Sequence, residues 1–360
     1  MKVGVLGGGQ LARMLAIAGK PLGIQLICYE SIENPCANSV ANIIKGDFND
    51  ENALATFAET VDCITLETEN IPLTCAEFVA KQRALLPNEF TLKITQDRLY
   101  EKECLQSLQI PTAKFHAINT WDDLETALNT FNYPAILKTR KSGYDGKGQA
   151  VIHDKQGAVN AWEQLKSHEL ILESFVNFAS EVSLICVRAK NGEVKFYPLV
   201  ENEHREGILR LSKAPFIHPI LQKKAENYAN TLVTHFNYIG VMAIEFFVMG
   251  NELIANEIAP RVHNSGHFTI EGARTSQFEN HLRAICGLPL GSTETIGFSA
   301  MYNLIGEEPV REKILSIPNT YYHSYGKAAR PGRKLGHITI NALSEDALND
   351  SVANYLKIIK

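Results

Sequence analysis

The chain has 360 residues, 45% of them hydrophobic and 21% charged, which is ordinary usage for a soluble globular protein. A single core stops growing at ~250–300 residues, so two or three domains are expected. A formal net charge of −5 argues against a general nucleic-acid binder and against an anionic-membrane binder, so any basic site has to be local.

In chain order, "KVGVL" (2–6) reads as a buried strand and "QLARMLAIAGKPLG" (10–23) as a helix ended by Gly19 and Pro21. "IQLICYE" (24–30) is the next strand, "NDENALATFAET" (49–60) a helix with a polar start, and "VDCITLE" (61–67) a third strand. Strands alternating with helices predict a parallel, doubly wound sheet over roughly the first 95 residues. "TLKITQDRLYEKECLQSLQ" (91–109) predicts one long helix closed by Pro111. The pattern then turns mostly to β: "PAILK" (134–138), "GQAVIH" (148–153), "ELILES" (169–174) and "EVSLICVRAKNGEVKFYPLV" (181–200), the last a hairpin around Asn191-Gly192. A helix starting near Pro219 leads into a second hairpin, "VMAIEFFVMGNELIANEIAP" (241–260). Helix "SQFENHLRAIC" (276–286), strand "GFSAMYNLI" (297–305), a basic loop, strand "LGHITINAL" (335–343) and a last helix to Lys360 complete the chain.

The seven cysteines form no C-x-x-C pair, and scattered single thiols suit a reducing compartment. "MKVGVLGGGQ" enters a strand at once, without the apolar stretch and cleavage site of a signal peptide. No run approaches the ~18–20 apolar residues that span a bilayer. The expectation is a cytoplasmic protein.

Four segments carry chemistry. Gly7, Gly9 and Ala12 fit G-x-G-x-x-A between a strand and a helix, and Glu30 ends the second strand about 20 residues later. Backbone amides at a helix start suit phosphate and the acid suits a ribose hydroxyl, as in a nicotinamide oxidoreductase. A tight turn that binds nothing favours glycine equally. "KTRKSGYDGKGQ" (138–149) is no Walker A loop, because Gln149 follows Gly148 where Lys-Ser/Thr would be needed. Gly143, Gly146 and Gly148 still let amides approach an anion, while Lys138 and Lys147 add charge. Tyr144 and Asp145 bring side-chain chemistry that a merely solvated loop does not need.

In "IEFFVMGNELIANEI" a turn centred on Asn251 sets Glu245 opposite Glu257 on one face. Two facing carboxylates repel unless a cation lies between them, and Mg²⁺ binds through carboxylates plus substrate phosphates, with Asn256 able to add an amide oxygen. A polar hairpin face is the plainer alternative. In "PRVHNSGH" (260–267), His263 and His267 have helical spacing, but the Pro, Asn, Ser and Gly around them argue against a helix and so against a zinc pair. "SYGKAARPGRKLGH" (324–337) gathers Lys327, Arg330, Arg333 and Lys334 on a Pro/Gly loop, which suits one phosphate monoester. As a nucleic-acid patch it lacks interleaved aromatics beyond Tyr325.

In this order, "GVLGGGQLARMLA", "KTRKSGYDGKGQ", "NEIAPRVHNSGH" and "RPGRKLGH" resemble the motifs of the ATP-grasp ligases, most closely those of the 5-(carboxyamino)imidazole ribonucleotide synthase family. Other ATP-grasp carboxylases and transformylases share the architecture without the "SGYDGKGQ" and "HNSGH" wording. The resemblance implies an α/β fold of three domains: a doubly wound parallel sheet (1–97), a small α+β lid (98–190) and a larger α+β C-terminal domain (191–360). It implies ATP and Mg²⁺ as cofactors, with bicarbonate and 5-aminoimidazole ribonucleotide as substrates of an ATP-dependent ligase in purine biosynthesis. A homodimer that hands its product to a mutase is part of the same expectation.

Residue by residue, the resemblance puts Arg98, Lys138 and the loop Gly143, Tyr144, Asp145, Gly146, Lys147, Gly148 and Gln149 around ATP. Glu173, Ser174, Phe175 and Val176 would line the adenine and hinge and Glu181 the ribose, while His204, Asn256 and Glu257 would belong to the same ATP site. Glu245 and Glu257 would carry Mg²⁺. Tyr144, Asp145, Arg261 and His263 would act in the chemistry. Gly9, Gln10, Leu11, Glu67, Asn264, Ser265, Lys327, Arg330 and Arg333 would hold the ribonucleotide. The chain departs from the family pattern at Ser324, where "HWYGK" has tryptophan, in a loop one residue short between Lys327 and Arg333, and in "TLETENI" for an "FEFENV"-like run. Those departures bear on which basic side chain meets the substrate phosphate. A nicotinamide oxidoreductase has no use for the Glu245/Glu257 pair, and a nucleotide-binding regulator without turnover would be expected to lose it.

Overall fold

Val3–Leu6, Leu26–Glu30 and Cys63–Leu66 are short runs buried on both faces, the pattern of strands covered from two sides. The computed structural model describes residues 1–143 and 147–358, so the expectations for Tyr144, Asp145 and Gly146 lie outside the described residues. β1 (Lys2–Leu6), β2 (Gln25–Glu30), β3 (Asn42–Lys45) and β4 (Cys63–Leu66) form a parallel sheet in the order β3-β2-β1-β4. β3 has no counterpart in the sequence reading, which makes "VDCITLE" the fourth strand and not the third. Asn42–Lys45 is a half-exposed edge strand of 4 residues, too short to show a period.

The single long helix predicted at 91–109 is two, Glu89–Thr95 and Arg98–Ser107. Asp97 breaks it: its backbone is extended (φ −123°, ψ 112°), and its carboxylate accepts the Leu99 N–H at 3.0 Å as an N-cap. Arg98 therefore stands in the first turn of a new helix.

The middle sheet holds β5 (Phe115–Ile118), β6 (Ala135–Thr139), β7 (Gln149–Ile152) and β8 (Leu170–Ser174), antiparallel in the order β5-β8-β6-β7. Helices Trp121–Phe131 and Lys155–Leu165 bury its apolar face. The glycine- and lysine-rich loop connects β6 to β7, with Lys138 opposite Gln149 at its base.

The largest sheet contains β9 (Ser180–Arg188), β10 (Val194–Phe196), β11 (Val200–Arg205), β12 (Ile208–Ala214), β13 (Gly240–Met249), β14 (Glu252–Ala259), β15 (Phe298–Ile305), β16 (Thr320–Ser324) and β17 (Lys334–Ala342). Their order is β14-β13-β9-β11-β12-β15-β17-β16, with β10 paired to β9. β9–β10 is the hairpin around Asn191-Gly192, and β11–β12 is a further hairpin that the sequence reading lacks. The chain leaves the middle sheet at Ser174, one strand before the expected boundary at 190. A continuous apolar cluster runs from Val3 and Leu15 in the first domain to Val241 and Leu282 in the last, fixing the two against each other. No helix among the described residues is long and apolar enough to cross a membrane.

Candidate active site

The β13–β14 hairpin sets Met249 opposite Glu252, so uninterrupted pairing would put Glu245 against Asn256. A bulge after Glu245 takes up Asn256 as the extra residue, and Glu245 faces Glu257 instead. The cross-strand pair thus comes from the bulge and not from a turn centred on Asn251. Burial and the facing Glu257 charge push the Glu245 carboxyl up to about 7. Asn256 Oδ1 is buried beside them without a hydrogen-bond partner. Two carboxylates and an amide oxygen suit a hard divalent cation. Among the described residues no group of three or more His, Cys, Asp or Glu side chains can hold a metal. An ion here would complete its shell with oxygens of water or of a bound phosphate.

Cations face this hairpin from the middle domain. Arg98 Nη1 lies 3.3 Å from Glu257 Oε2, and its Nη2 donates to the Gly143 carbonyl at the loop base (3.3 Å). Its helix is anchored to β6, because Asp97 accepts two hydrogen bonds from Arg140, at 2.9 and 2.7 Å. Lys138 Nζ donates to Glu173 Oε2 at 3.0 Å. Burial opposes the Glu173 charge, but Lys102 and Lys138 outweigh it and hold the carboxyl at about 2. Glu173 is therefore a buried counter-ion for the lysines.

Arg261 stands two residues beyond β14. Glu69, in the loop after β4, accepts from its Nε and, at 2.8 Å, from its Nη2. Burial works against the Glu69 charge, yet Arg261 wins and holds that carboxyl at about 2. Gln96 donates to the Glu69 carbonyl (2.6 Å) and fixes the loop. His263 is neutral: burial, then Arg261 and Lys334, push it down to about 3. Its Nδ1 accepts the Ser265 N–H (3.3 Å), which leaves the proton on Nε2, 3.4 Å from Glu245 Oε1. Ser265 is itself buried against Ser183 (2.6 Å), so it orients the ring from behind.

Most of these groups line a cavity of about 580 Å³. Of the sequence-predicted residues, Gln10, Leu11, Glu67, Arg98, Lys138, Gly143, Lys147, Gln149, Glu181, His204, Glu245, Asn256, Glu257, Arg261, His263 and Asn264 are in its wall. Glu181 Oε2 lies 3.2 Å from His204 Nδ1; burial lowers the imidazole, but this carboxylate prevails and raises it. Gly9, Gly148, Glu173, Ser174, Phe175, Val176, Ser265, Lys327, Arg330 and Arg333 are outside that wall. Glu173 is sequestered by lysines, and Phe175 is exposed. The basic loop folds against the start of helix Gln10–Gly19 through Lys327 Nζ and Gln10 Oε1 (2.5 Å); Arg333 Nη1 donates to the Ala328 carbonyl (3.1 Å), Arg330 is exposed, and Lys334 reaches the cavity.

The glycine turn after β1 is not open for a dinucleotide. Glu30 Oε2 already accepts the Gly8 N–H (2.9 Å), and Glu67 accepts from Gly9 and Leu11. A Cβ on Gly9 would meet Glu67 Oε1 at 2.2 Å. Carboxylates occupy the amides that a pyrophosphate would need.

Sequence reasoning missed Glu69, Gln96, Glu101, Lys102 and the stacked rings of Phe178 and Phe247 (4.6 Å), whose roles depend on distant partners. Glu69 had one signal: it is the second acid of "ETEN", just past a strand end.

Family models cover the chain in three consecutive segments. Residues 1–96 match the ribonucleotide synthetase preATP-grasp domain, 103–278 the ATP-grasp domain, and 299–351 the phosphoribosylaminoimidazole carboxylase C-terminal domain. The fold is thus that of an ATP-grasp ligase. The chain is 46% identical over 360 residues, all of both chains, to the N5-carboxyaminoimidazole ribonucleotide synthase of Pseudomonas aeruginosa. The N5-carboxyaminoimidazole ribonucleotide synthetase structure from Thermus thermophilus matches with a TM-score of 0.95 at 49% identity, over 99% of this chain and 98% of that one. The Aspergillus clavatus N5-carboxyaminoimidazole synthase, in complex with ADP and 5-aminoimidazole ribonucleotide, matches with a TM-score of 0.93 at 34% identity, over 99% and 98%. The chain belongs to the N5-carboxyaminoimidazole ribonucleotide synthase family.

Proposed function

We propose that the cavity between the three sheets brings ATP, bicarbonate and 5-aminoimidazole ribonucleotide together. The activity is that of the family, ATP-dependent carboxylation of 5-aminoimidazole ribonucleotide in purine biosynthesis. Bicarbonate is a poor electrophile. One of its oxygens attacks the γ-phosphorus of ATP, giving carboxyphosphate and ADP. Carboxyphosphate divides into CO₂ and phosphate, and the substrate amine adds to the CO₂ and loses a proton. Confinement beside the amine keeps the CO₂ from escaping.

Arg98, Lys138 and the glycine loop hold the ATP phosphates, whose charge their cations offset. Glu245, Glu257 and Asn256 Oδ1 would hold Mg²⁺, which when bound would neutralise charge on the transferring phosphoryl group. Arg261 faces that group or the carboxyphosphate, with its fork set by Glu69. His263 offers a fixed Nε2–H as a hydrogen-bond donor without adding charge. Glu181 and His204 flank the nucleoside, while Gln10, Leu11, Glu67 and Asn264 line the ribonucleotide side, with Lys327 and Arg333 at its phosphate. Tyr144 and Asp145 act on the second substrate. The chain works in the cytoplasm as a homodimer and passes its product to a mutase.

The observation that carries this reading is one cavity lined both by the facing carboxylates Glu245 and Glu257 and by the cations Arg98 and Lys138. Omission of single components tests it. ADP should form only with bicarbonate present, and carboxylated product only when the ribonucleotide is added too. ADP release indifferent to bicarbonate would contradict it.

A further inference from the structure

Helix Arg98–Ser107 presents Arg98, Glu101 and Lys102, spaced i, i+3, i+4, on one face. All three touch the stretch Ala255–Ile258 around the bulge. Arg98 pairs with the Glu257 carboxylate (3.3 Å), Glu101 Oε1 accepts the Ile258 N–H (2.6 Å), and Lys102 Nζ donates to the carbonyls of Asn256 (2.8 Å) and Ala255 (3.3 Å). Lys102 is only 1% exposed and does not line the cavity. Its remaining neighbour is Glu173 Oε2 (3.6 Å), the carboxylate that also holds Lys138. An ammonium has three donors, and here three oxygens surround it.

We infer that Lys102 is a positioning residue, which locks the bulge that turns Glu257 toward Glu245 and ties that bulge to the Glu173–Lys138 arm. This rests on the reading of Glu245 and Glu257 as the metal carboxylates. Without the bulge Glu257 would slip by one position and leave Asn256 opposite Glu245. Bulges leave backbone groups outside the ladder, and an outside donor to two consecutive carbonyls favours one arrangement. Through Glu173, the same ammonium sets how far the phosphate-facing Lys138 stands from the metal edge. Lys102 thus acts on metal and phosphate through other residues and touches neither.

The test is calorimetric titration of the whole chain with ADP over a series of Mg²⁺ concentrations. For Lys102→Met, the Mg²⁺ concentration that half-restores tight ADP binding should rise about ten-fold or more, the scale of a lost outer-shell support. Lys102→Gln keeps an amide donor and should shift it in the same direction by a smaller factor, which carries the test if the Met variant does not fold. A merely structural role would lower the melting temperature without moving the Mg²⁺ requirement. A parental requirement in whichever variants fold would overturn the inference. ADP binding by the parent that ignores Mg²⁺ would instead overturn the metal reading beneath it.

Discussion

Glu69, from the loop that closes the first parallel sheet, grips the guanidinium of Arg261 at the exit of the β13–β14 hairpin in a two-pronged ion pair. A cation proposed to face the transferring phosphoryl group is therefore aimed by a carboxylate from another domain. The docking of the two domains, and not the local sequence around Arg261, sets its geometry.

Glu69→Gln should lower kcat about ten-fold or more while the ATP KM stays close to parental, because the fork that orients Arg261 is lost and the ATP phosphate contacts are not. It should also destabilise the fold by up to about 3 kcal/mol, since a half-buried guanidinium loses the carboxylate it pairs with and keeps only the charges of Glu67 and Glu257. Steady-state kinetics and urea denaturation check the two effects. An unchanged kcat would remove Arg261 from the chemistry.

Glu257→Gln should reduce turnover on the order of 10²-fold at any Mg²⁺ concentration. Without Mg²⁺ the change removes the Glu257 share of the push on the Glu245 carboxyl, which burial raises first, but it also takes the carboxylate partner from Arg98, so its two effects on melting temperature oppose each other. Near-parental turnover at limiting Mg²⁺ would contradict the metal assignment.

For the substrate phosphate, the structure sets Lys327 against the start of helix Gln10–Gly19, leaves Arg333 half-buried nearby and leaves Arg330 in solvent. Arg333→Ala should raise the ribonucleotide KM far more than the ATP KM, by an amount equivalent to about 2 kcal/mol. Arg330→Ala should change both little. An equal rise in both KM values for Arg333→Ala would point to general destabilisation.

Acid should unfold the chain early. His281 is fully buried, with its ring between Thr65 Oγ1 (2.8 Å) and the Val241 N–H (3.0 Å), and burial pushes its pKa down to about 4. An unfolded imidazole titrates near ~6.5, so the unfolded state takes up the proton first. The stability it contributes is complete above ~6.5 and is lost as pH falls toward 4, by up to about 1.4 kcal/mol per pH unit. Burial also holds His267 and His337 well below the ordinary value, so they act in the same direction, and the raised His204 opposes them. The urea midpoint should fall between pH 7 and 5, with a shallower slope in His281→Gln. A midpoint flat across that range would contradict the assignment.

Much of the architecture was legible because the strands are short apolar runs bounded by glycine, proline or polar turns, and the site motifs stand at their ends. Local signals failed where a tertiary contact decides. Asp97 reads as one more residue of a helix until its carboxylate is seen capping Arg98–Ser107 and binding Arg140. Even spacing about Asn251 predicts the Glu245–Glu257 pair for the wrong reason, because the pair exists only through a bulge at Asn256 that no pattern in the hairpin announces. Glu173 carries a motif position, yet its side chain turns from the cavity to two lysines, one of them on a helix 71 positions earlier in the chain. The glycine fingerprint misleads for the opposite reason. Its backbone is as expected, and Glu30 and Glu67 satisfy the amides that a dinucleotide would use.

If bicarbonate itself is phosphorylated in the Arg98–Lys138–Glu245–Glu257 cavity, an oxygen label follows the transfer directly. With bicarbonate labelled in all its oxygens, attack on the γ-phosphorus carries one bicarbonate oxygen into the phosphate released from carboxyphosphate. Mass spectrometry of the phosphate formed during carboxylation of 5-aminoimidazole ribonucleotide should show a single labelled oxygen, in proportion to product. Unlabelled phosphate, formed while labelled carboxylate appears in the product, would mean that water attacks ATP and the carboxyphosphate account fails.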